Sequence, residues 1–200
     1  MLKVKERQTY LKALGLYEGV IDGKEGPLTK KAYKKLQDKY FIRKSDKDGL
    51  YGKNTDILLQ CAYNVWKYCK NFKLSEFRCE CGGKYCTGYP AVLNPYVLMY
   101  LQAIRNDTKV ATSITSGLRC KKYNNSIPGS IKGSKHTKGK AIDFCNSKTI
   151  SLANRKSIIN KYMKNKKATY GYCNGYYKGN WGSGYISASY MGTSIHIDVK

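Results

Sequence analysis

Acidic residues are scarce in this 200-residue chain. There are 13 Asp and Glu against 37 Lys and Arg, which gives a formal net charge of +24. Such a charge favours binding to polyanions, whether nucleic acid, anionic lipid or an anionic wall polymer, and the alternative is a solvated basic surface with no single partner. The basic residues are spread along the whole chain instead of being clustered in one arm, so the sequence predicts no dedicated nucleic-acid site.

Long apolar runs are also missing. Residues 1–16 carry charges throughout and contain no apolar stretch of signal-peptide length, and no later segment has the length of a transmembrane segment. We therefore expect synthesis in a host cytoplasm without a signal peptide, with release needed before the chain reaches any outside substrate. Eight cysteines in that setting favour reduced thiols or metal ligands over a disulfide framework.

Proline is rare, and this bears on domain organisation. Four prolines and no long polar tract argue against extensive disorder. A hydrophobic fraction of 42% in 200 residues fits one small and one medium domain better than a single large core. Residues 62–73 lack Pro, Gly and Ser, so we predict that they extend a helix and join the two domains stiffly.

The first part of the chain contains a repeat. Residues 22–29 (DGKEGPLT) and 48–55 (DGLYGKNT) share the form D-G-x-x-G-x-x-T, and each precedes an apolar-periodic segment, 30–37 and 57–68. The Asp-Gly pair predicts a turn, and the second glycine of each copy permits a strained backbone. The Thr or Asn that follows predicts the start of a helix. With an earlier short helix this makes a three-helix module over residues 1–68.

This module, including the run LGLYEGVIDG at residues 14–23, resembles the peptidoglycan-binding domain found on many wall hydrolases. The resemblance implies that residues 1–68 bind the bacterial wall. The alternative is a generic helical domain with two Asp-Gly turns.

Only two histidines occur, and both lie in recognisable motifs. His136 begins H-x-x-G-x-A-x-D, which ends at Asp143, and His196 lies in the closing stretch SIHIDVK. Residues 140–144 and 194–199 alternate like strands, so His196 and Asp198 share a face while their neighbours face a core. Two imidazoles and one carboxylate can make a three-ligand zinc site with a fourth position left for water.

These motifs resemble the zinc metallopeptidase family of D-alanyl-D-alanine carboxypeptidases and L-alanyl-D-glutamate endopeptidases, whose fold is shared by hedgehog signalling domains. The resemblance covers about residues 72–200 and includes FKLSEF at 72–77 and ITSGLRC at 114–120. It implies an α+β fold: the small three-helix module, then a zinc peptidase domain with a central, mostly antiparallel sheet flanked by helices. It also implies that His136, Asp143 and His196 are the zinc ligands.

Further site residues follow from the resemblance or lie near the ligands. By resemblance, Arg119 contacts substrate and stabilises the oxyanion; the alternative is a surface salt bridge. Ser134 is a candidate support beside the zinc site, or simply a turn residue, and Tyr190 a candidate for substrate hydrogen bonding. Many relatives carry a Glu or Asp shortly before the last histidine, yet residues 189–195 contain none. Asp198 is therefore either the general base or an anchor that orients a ligand.

The remaining cysteines and aromatic residues allow several interpretations. Cys79, Cys81 and Cys86 could hold a second, structural metal, with Cys120 as a possible fourth ligand; free thiols or an adventitious disulfide are the alternatives. Cys61, Cys69, Cys145 and Cys173 have the pattern of isolated core thiols. The Gly- and Tyr-rich residues 171–184 form either a loop lining the substrate cleft or a hairpin with exposed tyrosines.

The sequence thus predicts a zinc-dependent peptidase that hydrolyses peptidoglycan stem peptides or cross-links, endolysin-like, with the wall and its anionic polymers as partners. Two alternatives stay open. One is a bacterial autolysin or carboxypeptidase, and the other is a non-catalytic wall-binding protein that retains the zinc fold.

Overall fold

A computed structural model describes residues 1–164 and 167–200 and confirms the α+β class. The helices of these residues are α1 Val4–Ala13, α2 Pro27–Tyr40, α3 Lys53–Tyr68, α4 Pro95–Thr108, α5 Lys121–Ser126 and α6 Leu152–Tyr162. The strands are β1 Thr112–Ser116, β2 Ala141–Asn146, β3 Ala168–Cys173, β4 Tyr176–Gly179, β5 Gly182–Gly184 and β6 Ile195–Val199. They form one antiparallel sheet in the order β1-β2-β6-β3-β4-β5.

Both copies of the N-terminal repeat are held by a buried glutamine from the preceding helix. Gln8 Nε2 donates to Asp22 Oδ1 at 2.8 Å and to the Lys24 carbonyl at 3.0 Å, while its Oε1 accepts from the Gly23 amide at 2.8 Å. Gln37 makes the same set of bonds in the second copy, to Asp48, Leu50 and Gly49. The repeat therefore recurs in the structure as well as in the sequence, because one glutamine side chain makes the same hydrogen bonds to each turn.

The prediction of a strained second glycine is wrong. Gly26 and Gly52 are extended, with φ of −103° and −107°, and each lies immediately before the first residue of a helix. The left-handed backbone belongs to the first glycine of each copy instead, with φ of 77° at Gly23 and 76° at Gly49. The physical reason is that the glutamine oxygen must reach this amide, which requires the turn to close there.

Helix α3 ends earlier than predicted. It stops at Tyr68, where Cys69 leaves the helical region with φ −141° and ψ 59°. Residues 69–73 therefore do not continue the helix, although Cys69 and Phe72 are buried in the core.

Helix α3 also packs against the chain that leads into α4. The Cys61 thiol lies 3.3 Å from the Ala91 carbonyl, and Asn64 Nδ2 donates to the Leu93 carbonyl at 2.9 Å. One hydrophobic cluster runs from Leu11 in α1 to Val199 in β6. The division into domains 1–68 and 72–200 stays a prediction, but the packing is continuous across it.

The sheet register places β6 between two strands, β2 and β3. Asp143 of β2 lies opposite His196 on one side of β6, and Tyr172 of β3 lies opposite His196 on the other. Ile195, Ile197 and Val199 alternate with these polar positions and are fully buried, and both α4 and α6 contact β6. The face that carries His196 and Asp198 is thus opposite the hydrophobic face.

Candidate metal centre

Three side chains from three separate elements converge on the polar face of the sheet. His136 lies in a short 3-10 turn, Lys135–Lys138, Asp143 in β2 and His196 in β6. His136 Nε2 is 3.3 Å from His196 Nδ1 and 3.2 Å from Asp143 Oδ1, and His196 Nδ1 is 2.6 Å from the same oxygen. All three residues are buried. The structure therefore brings together the three predicted ligands.

The spacing of these atoms fits a tetrahedral zinc ion. Nitrogen and oxygen ligands 2.0–2.2 Å from zinc lie about 3.3 Å from one another in a tetrahedron. Two of the three observed separations, 3.3 and 3.2 Å, match this value. The Asp143–His196 pair, at hydrogen-bond distance, would need to open by roughly 0.7 Å, a small side-chain rotation. Three protein ligands with a fourth position open are the pattern of a hydrolytic site.

The tautomer of His136 is determined by the hydrogen bond that its Nδ1 makes. Nδ1 lies 2.7 Å from the Gly117 carbonyl oxygen, which can only accept, so Nδ1 carries the proton. In the neutral imidazole the lone pair is then on Nε2, which faces Asp143 and His196. Gly117 has to be glycine, since a Cβ there would lie 2.6 Å from the Phe77 carbonyl oxygen.

His196 is held from both edges of its ring. Its Nδ1 faces Asp143 and His136, whereas its Nε2 lies 3.4 Å from Asp198 Oδ2. The other oxygen of Asp198 accepts a hydrogen bond from the Thr169 hydroxyl. Asp198 therefore lies behind the imidazole, away from the three convergent atoms. Of its two predicted roles, this geometry favours the anchor that orients a ligand.

The charges of the site explain how a carboxylate is kept ionised in a buried position. Burial alone would raise the pKa of Asp143, but His136 and His196 outweigh it and hold that pKa well below its usual range. Burial likewise opposes the charged form of His196, yet Asp143 and Asp198 raise the pKa of its imidazole to about 9 in the metal-free protein. The Asp143 carboxylate is thus charged throughout the neutral range, as a metal ligand requires.

Arg119 contacts the centre through Asp143. Its Nη2 donates to Asp143 Oδ2 at 3.0 Å, and its Nε donates to Ser116 Oγ at 2.8 Å. The guanidinium is largely buried, with a side-chain exposure of 17%. It therefore occupies the site and is not a surface salt bridge. Its contact with substrate stays a prediction.

Tyr172 lies in the stretch that the sequence offered as a lining of the substrate cleft, but its contact with His196 was not predicted. Its ring stacks on His196 with centroids 4.7 Å apart and planes 30° apart, and its hydroxyl lies 3.3 Å from that of Tyr190. The stretch that contains Tyr172 was recognised as aromatic, but its pairing with β6 is not visible in the sequence. Tyr190 itself is 77% exposed, so it joins the site through Tyr172.

The aromatic stretch forms strands beside the metal centre. Tyr170 and Tyr172 lie two residues apart on β3, on one face, with ring centroids 5.5 Å apart. Tyr170 stacks on Trp181 at 5.5 Å. The stretch is thus a β-hairpin followed by a short strand, and its aromatic rings extend from the site.

Ser134 and the cysteines complete the list of predicted residues. The Ser134 carbonyl accepts from the amide and hydroxyl of Thr137, at 3.0 and 2.7 Å, which closes the turn that carries His136. A role of Ser134 as a support of the zinc site or in substrate binding stays a prediction. Cys61, Cys69 and Cys173 are buried, as expected of core thiols. Cys145 is only half-buried, so the prediction of a core thiol is wrong there, because it lies near the end of β2.

Comparison with known proteins adds one match. Residues 70–179 match the sequence model of a protein family described as Peptidase M15. The matched span contains His136, Asp143 and Arg119 but ends before β6, so it does not include His196. No protein with a curated description matches the chain. Among the described residues, no helix is both long and apolar enough to cross a membrane.

Proposed function

The chain belongs to the peptidase M15 family of zinc metallopeptidases, and on this premise we propose that it hydrolyses amide bonds in the stem peptides or cross-links of bacterial peptidoglycan. The observation that carries the proposal is the convergence of two imidazole nitrogens and one carboxylate oxygen within 3.3 Å on the polar face of the sheet. The third ligand, His196, comes from a strand outside the matched span. The position of His196 beside His136 and Asp143 therefore supports the proposal independently of the family match.

The residues of the chain have separable tasks in this reaction. His136, Asp143 and His196 would hold the ion, which when bound acts as a Lewis acid and lowers the pKa of a bound water. Asp198 keeps the His196 ring in orientation from behind. Arg119 adds a fixed positive charge beside Asp143, in position to stabilise negative charge that develops on a scissile carbonyl oxygen.

The surroundings of the centre suit an extended peptide substrate. The rings of Tyr170, Tyr172 and Trp181 form a row that leads away from His196. Tyrosine and tryptophan faces provide rigid contact area for peptide or sugar groups at low conformational cost. Both D-Ala-D-Ala and L-Ala-D-Glu bonds are candidate scissile bonds.

We further propose that the N-terminal module binds the wall. Its support is the repeat, which recurs in sequence and in the glutamine bonds of both turns. Attachment to the wall raises the local concentration of substrate, and a net charge of +24 favours anionic wall polymers. The endolysin-like role, with synthesis in a host cytoplasm and later action on the wall, is part of this proposal.

A second candidate function rests on the orientation of Asp198. Residues 189–195 lack a carboxylate, and Asp198 lies behind His196 instead of beside the open position. If no other group accepts the proton of the attacking water, the chain would bind the wall and not cut it. This gives the non-catalytic wall-binding protein as the competing proposal.

Digestion of purified peptidoglycan separates these two functions. We expect clearing of a wall suspension that stops when a chelator is added and resumes with zinc, together with new stem-peptide termini in the mass spectrum of the soluble products. The masses of those products identify the bond that is cut. Sedimentation of the protein with walls, without any new termini at any zinc concentration, would instead establish the non-catalytic function.

Replacing Asp198 with asparagine distinguishes its two roles. If Asp198 orients His196, we expect Asp198→Asn to lower activity about 10- to 100-fold and to raise the zinc concentration needed for half-maximal activity by a similar factor. Thr169→Val, which removes the hydroxyl bonded to Asp198, should change both quantities in the same direction by less. A general base would give lost activity at an unchanged zinc requirement, which would contradict the orienting role.

A further inference from the structure

A second group of ligand atoms lies outside the centre described above. The Sγ atoms of Cys79, Cys81, Cys86 and Cys120 all lie within 4.8 Å of one another, and none is in a disulfide. Cys79, Cys81 and Cys86 follow the 3-10 turn Leu74–Phe77, whereas Cys120 comes from the start of α5. The fold thus brings a distant cysteine to a cluster of three that are close in sequence.

We propose that these four cysteines bind one structural Zn²⁺ ion in a tetrahedral site. Thiolates 2.3 Å from zinc lie about 3.8 Å from one another in a tetrahedron. The sulfurs of Cys81 and Cys86 are 3.4 Å apart, close to that value and well beyond the roughly 2.05 Å of a disulfide. Four mutually close sulfurs match a single shared ion better than two separate bridges. Four soft ligands also select zinc over calcium or magnesium.

Backbone amides support thiolate ligands in this cluster. The Cys120 amide donates to Cys79 Sγ at 3.3 Å, and the Tyr123 amide donates to Cys120 Sγ at 3.4 Å. Amide hydrogen bonds of this kind neutralise part of the negative charge on metal-bound sulfur and fix its direction. Two of the four ligands therefore already have the outer contacts that a thiolate site uses.

The cysteine cluster lies in a segment that has no regular secondary structure. Cys79, Cys81 and Cys120 form a small buried group separate from the main hydrophobic core, and the partly buried hydrophobic residues Cys86 and Tyr123 pack against it. Residues 78–94 contain no helix or strand, although all of them are described. Residues 89–93 pack on the main core through Tyr89 and Leu93, but no residue of 79–86 belongs to that core. An ion that joins residues 79–86 to the start of α5 would replace the apolar packing that this part of the loop lacks.

The cysteine cluster is also joined to the catalytic centre through consecutive residues. The amides of Leu118, Arg119 and Cys120 donate to Phe77 O, His136 O and Cys79 Sγ respectively. The preceding residue, Gly117, provides the carbonyl that sets the protonation of His136. The structural ion would therefore fix the segment that positions both Arg119 and His136.

Zinc analysis in a background without the catalytic site tests this proposal directly. In a His136→Ala variant purified without chelators, we expect one zinc ion per chain to remain and X-ray absorption to show four sulfur neighbours at about 2.3 Å. Adding Cys120→Ser to that variant should remove this zinc. Adding Cys145→Ser instead, at a half-buried thiol outside the cluster, should leave it bound.

Thiol labelling keeps the test decisive if the Cys120→Ser variant does not fold. The chain with all its cysteines, denatured with a chelator and no reductant, should have all eight thiols alkylated. Four thiols that resist alkylation would show two disulfides and overturn the proposal. If all eight thiols of the denatured chain are alkylated but the native His136→Ala variant contains no zinc, the proposal is overturned as well. Neither result depends on wall cleavage, so failure here is distinct from failure of the proposed function.

Discussion

Replacing Asp143 with alanine is expected to abolish wall cleavage, with a loss of activity of at least about 1,000-fold. Loss of an outer partner of a metal ligand already costs about 10- to 100-fold, and Asp143 is itself a proposed ligand. It is also the residue on which the other groups of the site converge, since His136, His196 and Arg119 all contact its carboxylate. Cleavage of purified walls and zinc content together measure the effect.

The same substitution is expected to destabilise the fold, so it needs two companions. Removing a carboxylate from a buried charged group leaves its cationic partners unpaired, at a cost of about 3–5 kcal/mol. Asp143→Asn keeps the shape and some hydrogen bonds, so it should lose the zinc and the activity with a smaller loss of stability. Asp38→Ala, at an exposed carboxylate paired with Lys34, should change neither. Wall cleavage that persists in Asp143→Asn, with the catalytic zinc still bound, would remove the basis of the proposed mechanism.

The second large effect is expected at Gly139, which ends the turn that carries His136. Its φ is +67°, and a Cβ there would lie 2.1 Å from the Val92 carbonyl oxygen. Gly139→Ala should therefore add a steric overlap, costing about 1–3 kcal/mol, to the roughly 1–2 kcal/mol cost of a left-handed alanine. In a chain of this size the sum lowers the midpoint of thermal unfolding by roughly 4–20 °C. Activity should fall too, because relief of the overlap displaces His136.

Gly129→Ala provides the matched control. Gly129 has a similar φ of +74°, but no atom lies within 4 Å of the position of its Cβ. This variant bears only the conformational cost of the left-handed alanine, and its unfolding midpoint should fall by clearly less. Equal shifts for the two variants would show that contact between Gly139 and Val92 does not determine the fold around the site.

The convergence of His136, Asp143 and His196 could be predicted from the sequence because its signals are local. His136 and Asp143 lie in one short motif, and the alternation of residues 194–199 places His196 on the polar face without any knowledge of its neighbours. The α+β class was what the resemblance to the zinc metallopeptidase family implied. The structure confirms that class.

The other features depend on contacts between distant residues. Tyr172 stacks on His196 only because β3 pairs with β6, and no pattern in either strand specifies that pairing. Gln8 and Gln37 look like ordinary helix residues until the turns fold back onto them. The choice between two roles for Asp198 depended on the edge of the imidazole it faces, which strand alternation does not determine.

The shared packing of α3 has a consequence for how the chain would act on a solid polymer. Cys61 and Asn64 on this helix contact the segment that enters α4, and one core connects the N-terminal helices with the sheet. The N-terminal helices and the sheet are therefore not joined by a flexible linker. If the N-terminal helices bind a glycan strand, the metal centre would lie at a fixed distance and orientation relative to that strand. The packing of the two parts, and not the flexibility of a linker, would then determine which peptide bonds the centre can reach from one binding position.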